Sequence, residues 1–151
     1  MNSTESRNPF NYIKDERCIL SFARFLTKLG LSDDEMNSFK EKSIRCCIAA
    51  VIGYIFNEYD EDLKNLDNII CFLNDLEAGE KSDDSTVSVD ELFSELGAKD
   101  HNSFAARQYQ KFKLAAASSK DFIISECKRI IEIYKQLDDD TFLNLIAELD
   151  G

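Results

Sequence analysis

The stretch SDDEMNSFKEKSIRCCIAAVIGYIFNEY, residues 32–59, decides the fold. Ser32 and Glu35 have the spacing of a capping box, in which the two side chains satisfy free backbone donors reciprocally, so we expect a helix to begin here. About 26 residues at ~1.5 Å each would make a rod of about 39 Å, long enough for the central helix of a bundle. Its apolar side chains recur at the three- and four-residue steps of one helix face, and they are Phe39, Ile44, Cys47, Ile48, Val51, Ile52, Ile55, Phe56 and Tyr59.

Helical patterns also fill the segments on either side, and no run alternates at the two-residue period of a strand. The polar, acidic segment GEKSDDSTVS, 79–88, is expected to be a mobile loop. The fold class is therefore all-α, a compact bundle of about six to seven helices around a long central helix. The other helices that we expect cover about 15–29 with Gly30 as the stop, Leu66 to Leu76, the capping box at 88–91 to Gly97, 103–117, 119–137, and a short segment after the caps at 138–140.

Length and composition limit the class of protein. The 151 residues fit one domain, and apolar and charged fractions of 44% and 31% are those of a globular chain. The longest apolar run, 46–56, has 11 residues, whereas a membrane span needs roughly 20. Five cysteines form no CxxC pair, so we interpret them as reduced, mostly buried residues of a cytosolic protein. We expect no cofactor, no metal site and no membrane contact by this segment.

No catalytic residues are expected either. The five glycines are scattered instead of gathered into a phosphate-binding loop. The only histidine, His101, falls in an expected turn, where an exposed or helix-capping role fits it better than that of a general base. Acidic clusters such as 60–62 and 138–140 stand at turns or helix starts, where they complement the positive end of the helix dipole.

One segment differs from the rest of this acidic chain in its charge. The formal net charge is −11, but residues 102–136 hold seven lysines and arginines against three carboxylates, which leaves +4 there and −15 elsewhere. On a helix, Arg107 and Lys111 of FAARQYQKFKLAA share one face. This pattern fits a solvated face on a core helix. It also fits a docking surface for an acidic partner, either a phosphate backbone or an acidic protein face, with Tyr109 stacking or hydrogen-bonding at its rim.

The same segment is similar to a motif of the type IV coupling proteins of Gram-positive conjugative elements. These are hexameric ATPases that hand a relaxase–DNA complex to the secretion channel. Weaker similarity continues upstream in the same order, at NPFNYI (8–13), FKEKS (39–43), AVIGYI (50–55), LDNIICFLNDLE (66–77) and VDELFSEL (89–96), so it covers about residues 8–126. The chain departs from the family at AAASSKD, 115–121, where Ala117 replaces a glycine. The matching positions of the motif are Phe104, Ala105, Arg107, Gln108, Tyr109, Lys111, Lys113, Leu114, Ala115, Ala116, Ile123, Ile124 and Ser125.

The resemblance implies that the chain is the all-α domain of such a protein, a helical insertion in the motor domain that selects what is exported. Residues 1–14 would then be a leading segment from the parent motor domain, and 15–151 the all-α domain. The isolated domain lacks Walker motifs and would be no enzyme, whereas the parent would be a P-loop ATPase. It would lie in the cytoplasm, at the cytosolic side of the plasma membrane through that parent.

The implied partners are relaxase or relaxosome proteins, single- or double-stranded DNA, and the parent motor domain. Two other hypotheses stay open: a freestanding helical adaptor, and a structural module through which subunits assemble, with Tyr109 and Lys113 buried in the subunit interface. The residues that we expect to bind the partner or DNA are Arg107, Gln108, Tyr109, Lys111, Lys113, Lys120, Lys128 and Arg129.

Overall fold

A computed structural model describes residues 7–36, 38–79 and 89–150 of the chain, and these residues form an all-α bundle. No strand occurs among them, which confirms the predicted fold class. Short 3-10 turns lie at 9–11, 33–35, 61–63 and 117–119. The α-helices are α1 (Glu16–Gly30), α2 (Phe39–Glu58), α3 (Leu66–Gly79), α4 (Val89–Lys99), α5 (Phe104–Ala116), α6 (Lys120–Lys135) and α7 (Asp139–Asp150).

Helix α2 begins later than the capping box predicts. The Glu35 carboxylate does accept from the Ser32 N–H at 3.0 Å, but the box closes only a 3-10 turn, and Met36 after it is extended. Ser38 is the actual N-cap, because its hydroxyl accepts from the Glu41 N–H at 3.1 Å. The helix therefore has 20 residues and is about 30 Å long, not about 39 Å.

The central position of α2 is confirmed. It contacts α1, α3, α5 and α6, and its side chains from Cys46 to Ile52 are at most 2% exposed. The contact with α5 is the most extensive in the bundle. At Gly53 a Cβ atom would lie 3.2 Å from the Cβ of Ala105 and 3.2 Å from the ring of Phe104, so the glycine lets the two backbones approach closely.

The predicted boundaries of the other helices agree with the structure to within a few residues. The Asp15 carboxylate caps α1 by accepting from the Cys18 N–H at 2.9 Å. Gly97, however, does not end α4, which continues to Lys99. Like the other described glycines, it lacks the positive φ that a glycine C-cap adopts. Residues 80–88 of the expected mobile loop, which include Ser88 of the second capping box, lie outside the described residues, whereas Gly79 ends α3.

The described part of the leading segment packs against the helices. The Tyr134 hydroxyl of α6 donates to the carbonyl oxygen of Arg7, and the Asn8 carboxamide donates to the Lys64 carbonyl oxygen at 2.8 Å. Ile13 is 4% exposed within the common core. Through Ile13, the leading segment therefore contributes to the core of the bundle.

The junction between α5 and α6 has the only positive φ among the described non-glycine residues. Ala117 has φ 47° and ψ −116°, a region that glycine occupies readily and an L-residue with a Cβ occupies under strain. The turn at this junction is therefore held by an alanine in a backbone conformation that favours glycine.

We predict that Ala117→Gly stabilises the protein. Relief of strain, of order 1–3 kcal/mol, exceeds the extra unfolded-state entropy of glycine, roughly 0.5–1 kcal/mol, so a gain of about 1 kcal/mol is expected. Thermal unfolding should shift upward by about 2–4 °C. Ala147→Gly is the matched control, because Ala147 is exposed within α7 and the same change there should lower stability by about 0.5–1 kcal/mol. An equal loss in both variants would contradict the strained turn.

Candidate docking surface

Helix α5 turns one face into the core, and that face includes two residues expected at the surface. Phe104, Ala105, Phe112 and Ala116 are buried as expected. Gln108 and Tyr109 are also buried, at 7% and 2% exposed. The expectation that Tyr109 stacks at the rim of a surface is therefore wrong for this structure, and Gln108 is likewise placed away from solvent.

Tyr109 and Lys113 hold α4 against α5 through one carboxylate. The Tyr109 hydroxyl donates to Asp90 Oδ1 at 3.1 Å, and Lys113 Nζ donates to the same oxygen at 2.7 Å. The Phe93 ring stacks on the Tyr109 ring at 4.1 Å between centroids and 8° between planes. The hydrogen bond from Lys113 lowers the pKa of Asp90, against the effect of burial. Both residues are thus engaged by contacts inside the chain.

The bases of α6 are also tied to the bundle. Lys128 Nζ lies 3.3 Å from Glu77 Oε1 of α3. Arg129 pairs with Glu126 at 2.8 Å and donates to the Gly30 carbonyl oxygen at 2.8 Å. Lys120 is half-buried and also interacts within the chain. None of these three side chains is presented together with Arg107 and Lys111 on the outer face of α5.

Arg107, Lys111 and Arg129 are the expected residues that the structure leaves exposed. Arg129 is paired with Glu126, whereas neither Arg107 nor Lys111 makes an ion pair with any described residue. Arg107 Nε donates only to the Ser103 carbonyl oxygen, at 3.4 Å. Leu114, one turn beyond Lys111, is 81% exposed. The outer face of α5 therefore carries two unneutralised cations and an exposed apolar side chain.

Two further cations come from α2, and the sequence pattern alone does not reveal them. Lys42 is exposed, and Arg45 is half-buried with its Nε 3.1 Å from Glu41 Oε1. Burial raises the pKa of the Cys46 thiol, and the positive charges of Arg45, Lys111 and Lys42 oppose that rise. Lys42 and Arg45 line one depression beside Phe39, and α2 packs along α5, which carries Arg107 and Lys111. We call Lys42, Arg45, Arg107 and Lys111 the basic surface.

Two depressions adjoin the basic surface, and both are lined by Phe39. The smaller, of about 150 Å³, lies between α2 and the α5–α6 junction, with Phe39 and Phe122 at its walls. These two rings are 80% and 53% exposed. The larger, of about 410 Å³, is lined by Ser38, Phe39, Glu41, Lys42 and Arg45. We call the smaller depression the Phe39 groove; its remaining lining residues are Lys40, Ser43, Ala115, Ala116, Ser119 and Ile123.

A chain of ion pairs holds the walls of this groove in place. Lys40 Nζ lies 2.8 Å from Glu35 and 3.0 Å from Glu126, and Glu126 in turn pairs with Arg129. The hydrogen bond from Lys40 lowers the pKa of Glu35 to about 2, and that from Arg129 lowers the pKa of Glu126. The network joins the turn before α2 and the first turn of α2, which begins at Phe39, to α6, which carries Phe122.

Comparison of the chain with protein-family models, with curated proteins and with solved structures finds no match.

No helix of the described residues has both the length and the apolar character needed to cross a membrane. All five cysteines are free thiols, and Cys71 alone among them is exposed. Within the described ranges, no three histidine, cysteine, aspartate or glutamate side chains are grouped so that they could hold a metal ion.

We predict that substitutions at two nearby positions of α5, Tyr109 and Lys111, change the free energy of unfolding by very different amounts. Tyr109→Ala should lower the free energy of unfolding by about 3–5 kcal/mol, because it removes a buried, stacked ring. Lys111→Ala should change it by less than about 0.5 kcal/mol, because Lys111 is exposed. Urea unfolding measures both values, and Tyr109→Phe, with an expected loss of about 1 kcal/mol, replaces the alanine variant if that does not fold. Equal, small losses at both positions would contradict the inward placement of Tyr109.

We also predict that acid weakens the fold through the ion-pair network. The pKa of Glu35 lies below its ordinary value of 4.5, at about 2, so its contribution to stability is complete above about pH 4.5. That contribution is lost as the pH falls through about 2. The free energy of unfolding of Glu35→Gln should therefore depend less on pH between 5 and 2 than that of the wild type. Glu61→Gln is the control, since Glu61 pairs only with Lys64 in the exposed turn before α3. Identical pH profiles for wild type and Glu35→Gln would refute the network's role.

Proposed function

We propose that this chain is the substrate-recognition domain of a conjugative type IV secretion coupling protein, and that it docks the relaxase, the transferred DNA, or both. The support is twofold: the ordered sequence similarity to that family over about residues 8–126, and the basic surface on the outside of α2 and α5. Within this proposal the domain catalyses no reaction itself. Its parent protein supplies the ATPase and the attachment at the cytosolic side of the plasma membrane.

The observation that carries the proposal is the exposed pair Arg107 and Lys111, joined by Lys42, on a chain with a net charge of −11. Cations that stay unpaired side by side are available for charge-assisted hydrogen bonds to a carboxylate or phosphate of a partner. They also steer an acidic partner to this face while the remaining surface repels it.

The hypothesis of a subunit-assembly module loses its main residue-level argument. It expected Tyr109 and Lys113 in an interface between copies, but both are engaged with Asp90 of the same chain. The freestanding adaptor keeps the same basic surface and differs only in the partner. A binding experiment with the relaxase of the same conjugative element therefore separates the adaptor from the recognition domain.

We predict that reversing the basic surface weakens binding of that relaxase. The triple variant Lys42→Glu, Arg107→Glu, Lys111→Glu should raise the Kd at least about tenfold, the equivalent of about 1.4 kcal/mol, with most of the effect on association at low salt. Isothermal titration with the purified relaxase measures it. Lys113 is left unchanged, because reversing it would break its contact with Asp90 and lower stability instead.

The matched control reverses three exposed cations elsewhere: Lys14→Glu, Arg24→Glu and Lys28→Glu, in and just before α1. Both variants have the same net charge, so a loss confined to the first is specific to the basic surface. A parallel titration with DNA at several salt concentrations tests direct DNA contact, since each neutralised phosphate contributes roughly −0.7 to −0.9 to the slope of log K against log salt. Equal losses in both variants, or no binding of either relaxase or DNA by the wild type, would overturn the proposal.

A further inference from the structure

The Phe39 groove exposes apolar side chains to water, and no contact between described residues explains that exposure. Phe39 is 80% exposed at the first position of α2, and Phe122 is 53% exposed on the facing α6. Between them lie the methyl groups of Ala115 and Ala116 and the side chain of Ile123. Two aromatic walls over a floor of small apolar side chains have the form of a pocket for one aliphatic or aromatic side chain.

The groove is preorganised. Lys40 Nζ lies 5.3 Å from the centroid of the Phe122 ring, and the same ammonium group is held by Glu35 and Glu126. Because these contacts already fix the elements on both sides, a ligand that enters the groove needs to order little of the protein. Low ordering cost is one of the features that allow a small interface to bind measurably.

Positive charge borders the groove on one side. The larger depression shares Phe39 with the groove and is lined beyond it by Ser38, Glu41, Lys42 and Arg45. Glu41 pairs with Arg45, so Lys42 is the cation of this lining without an ion pair. On α5, Lys111 lies one turn before Ala115, which lines the groove. A ligand that places an apolar side chain in the groove and continues past Phe39 therefore meets cations, and carboxylates are the complementary groups.

A short protein segment fits this arrangement better than a nucleic acid. The exposed cations of α5 extend from Arg107 to Lys111, about 6 Å along the helix axis at ~1.5 Å per residue. Duplex DNA carries about one charge per 1.7 Å, so it would continue beyond the cations over a chain whose net charge is −11. A peptide with a few carboxylates ends within the basic surface and avoids that repulsion.

We propose that the Phe39 groove and the basic surface together bind a short acidic segment of a protein partner. One aliphatic or aromatic side chain of the segment sits between Phe39 and Phe122, and its neighbouring carboxylates pair with Lys42 and Lys111. The inference rests on the proposed docking function and deepens it. It assigns the chemistry of the partner, which is an apolar anchor beside acidic residues. It also means that this site recognises a protein and not the DNA.

The test selects a random library of 12-residue displayed peptides on the immobilised domain and then measures the enriched peptides by fluorescence polarisation. Enriched sequences should combine aspartate or glutamate with a leucine, isoleucine or phenylalanine. Phe39→Ser, Phe122→Ser should weaken their binding at least about tenfold, and so should Lys42→Glu, Lys111→Glu. The matched control, Leu63→Ser, Leu143→Ser, removes two apolar side chains that are 46% and 61% exposed elsewhere and should leave binding unchanged. Thermal unfolding confirms that each variant is folded.

The outcomes separate this inference from the proposed function. If the enriched peptides are basic, or bind the groove variant as tightly as the wild type, the inference is wrong. If relaxase binding depends on the cations of the basic surface but not on Phe39 and Phe122, the docking function stands and the inference fails. If the groove variant instead loses DNA binding, or dissociates a dimer detected by light scattering, the occupant is nucleic acid or a second copy, and the inference is again overturned.

Discussion

The close contact between α2 and α5 is the constraint on which both the core and the candidate surface depend. Gly53 admits the α5 backbone at a place where a Cβ atom would lie only 3.2 Å from Ala105. Once the two helices run side by side at that distance, α2 is covered on several sides and its middle is fully buried. The same contact brings Lys42 and Arg45 of α2 alongside Lys111 of α5. Core packing and surface charge are therefore set by one helix pair.

The lysines and arginines of residues 102–136 have two different roles, and the position of each residue on its helix decides which role it has. Lys113 and Lys128 reach across to carboxylates on α4 and α3, and Arg129 reaches Glu126 and the end of α1. In a chain with so many carboxylates, such pairs join neighbouring helices and contribute modestly each. Arg107 and Lys111 are exposed on α5 and make no ion pair with any described residue. Their charges therefore stay available to a partner.

Sequence reasoning reaches the fold well and the surface only in part. Helix caps are local, so Asp15 and Ser103 mark the starts of α1 and α5 correctly. The capping box at Ser32 misleads, because the pattern does not distinguish a helix from the single 3-10 turn that it closes here. The inward placement of Tyr109 could be predicted from the sequence, since Ala105, Tyr109, Phe112 and Ala116 form one helical stripe. The role of Lys42 could not be predicted, because it depends on which helices pair and in which direction, and no local sequence pattern gives that information.

Ala117 connects the turn between α5 and α6 to the Phe39 groove. Its positive φ turns the chain from α5 into α6, and the residues on both sides of it, Ala116 and Ser119, line the Phe39 groove. A straight continuation of α5 would carry Phe122 away from Phe39 and leave no facing wall. The turn therefore sets the spacing of the two rings, and an alanine there holds it at a cost in strain that a glycine would not incur. Residues with a strained backbone cluster at binding and switch sites, so the strain at Ala117 is an independent observation in support of our proposal that the adjoining groove binds a ligand.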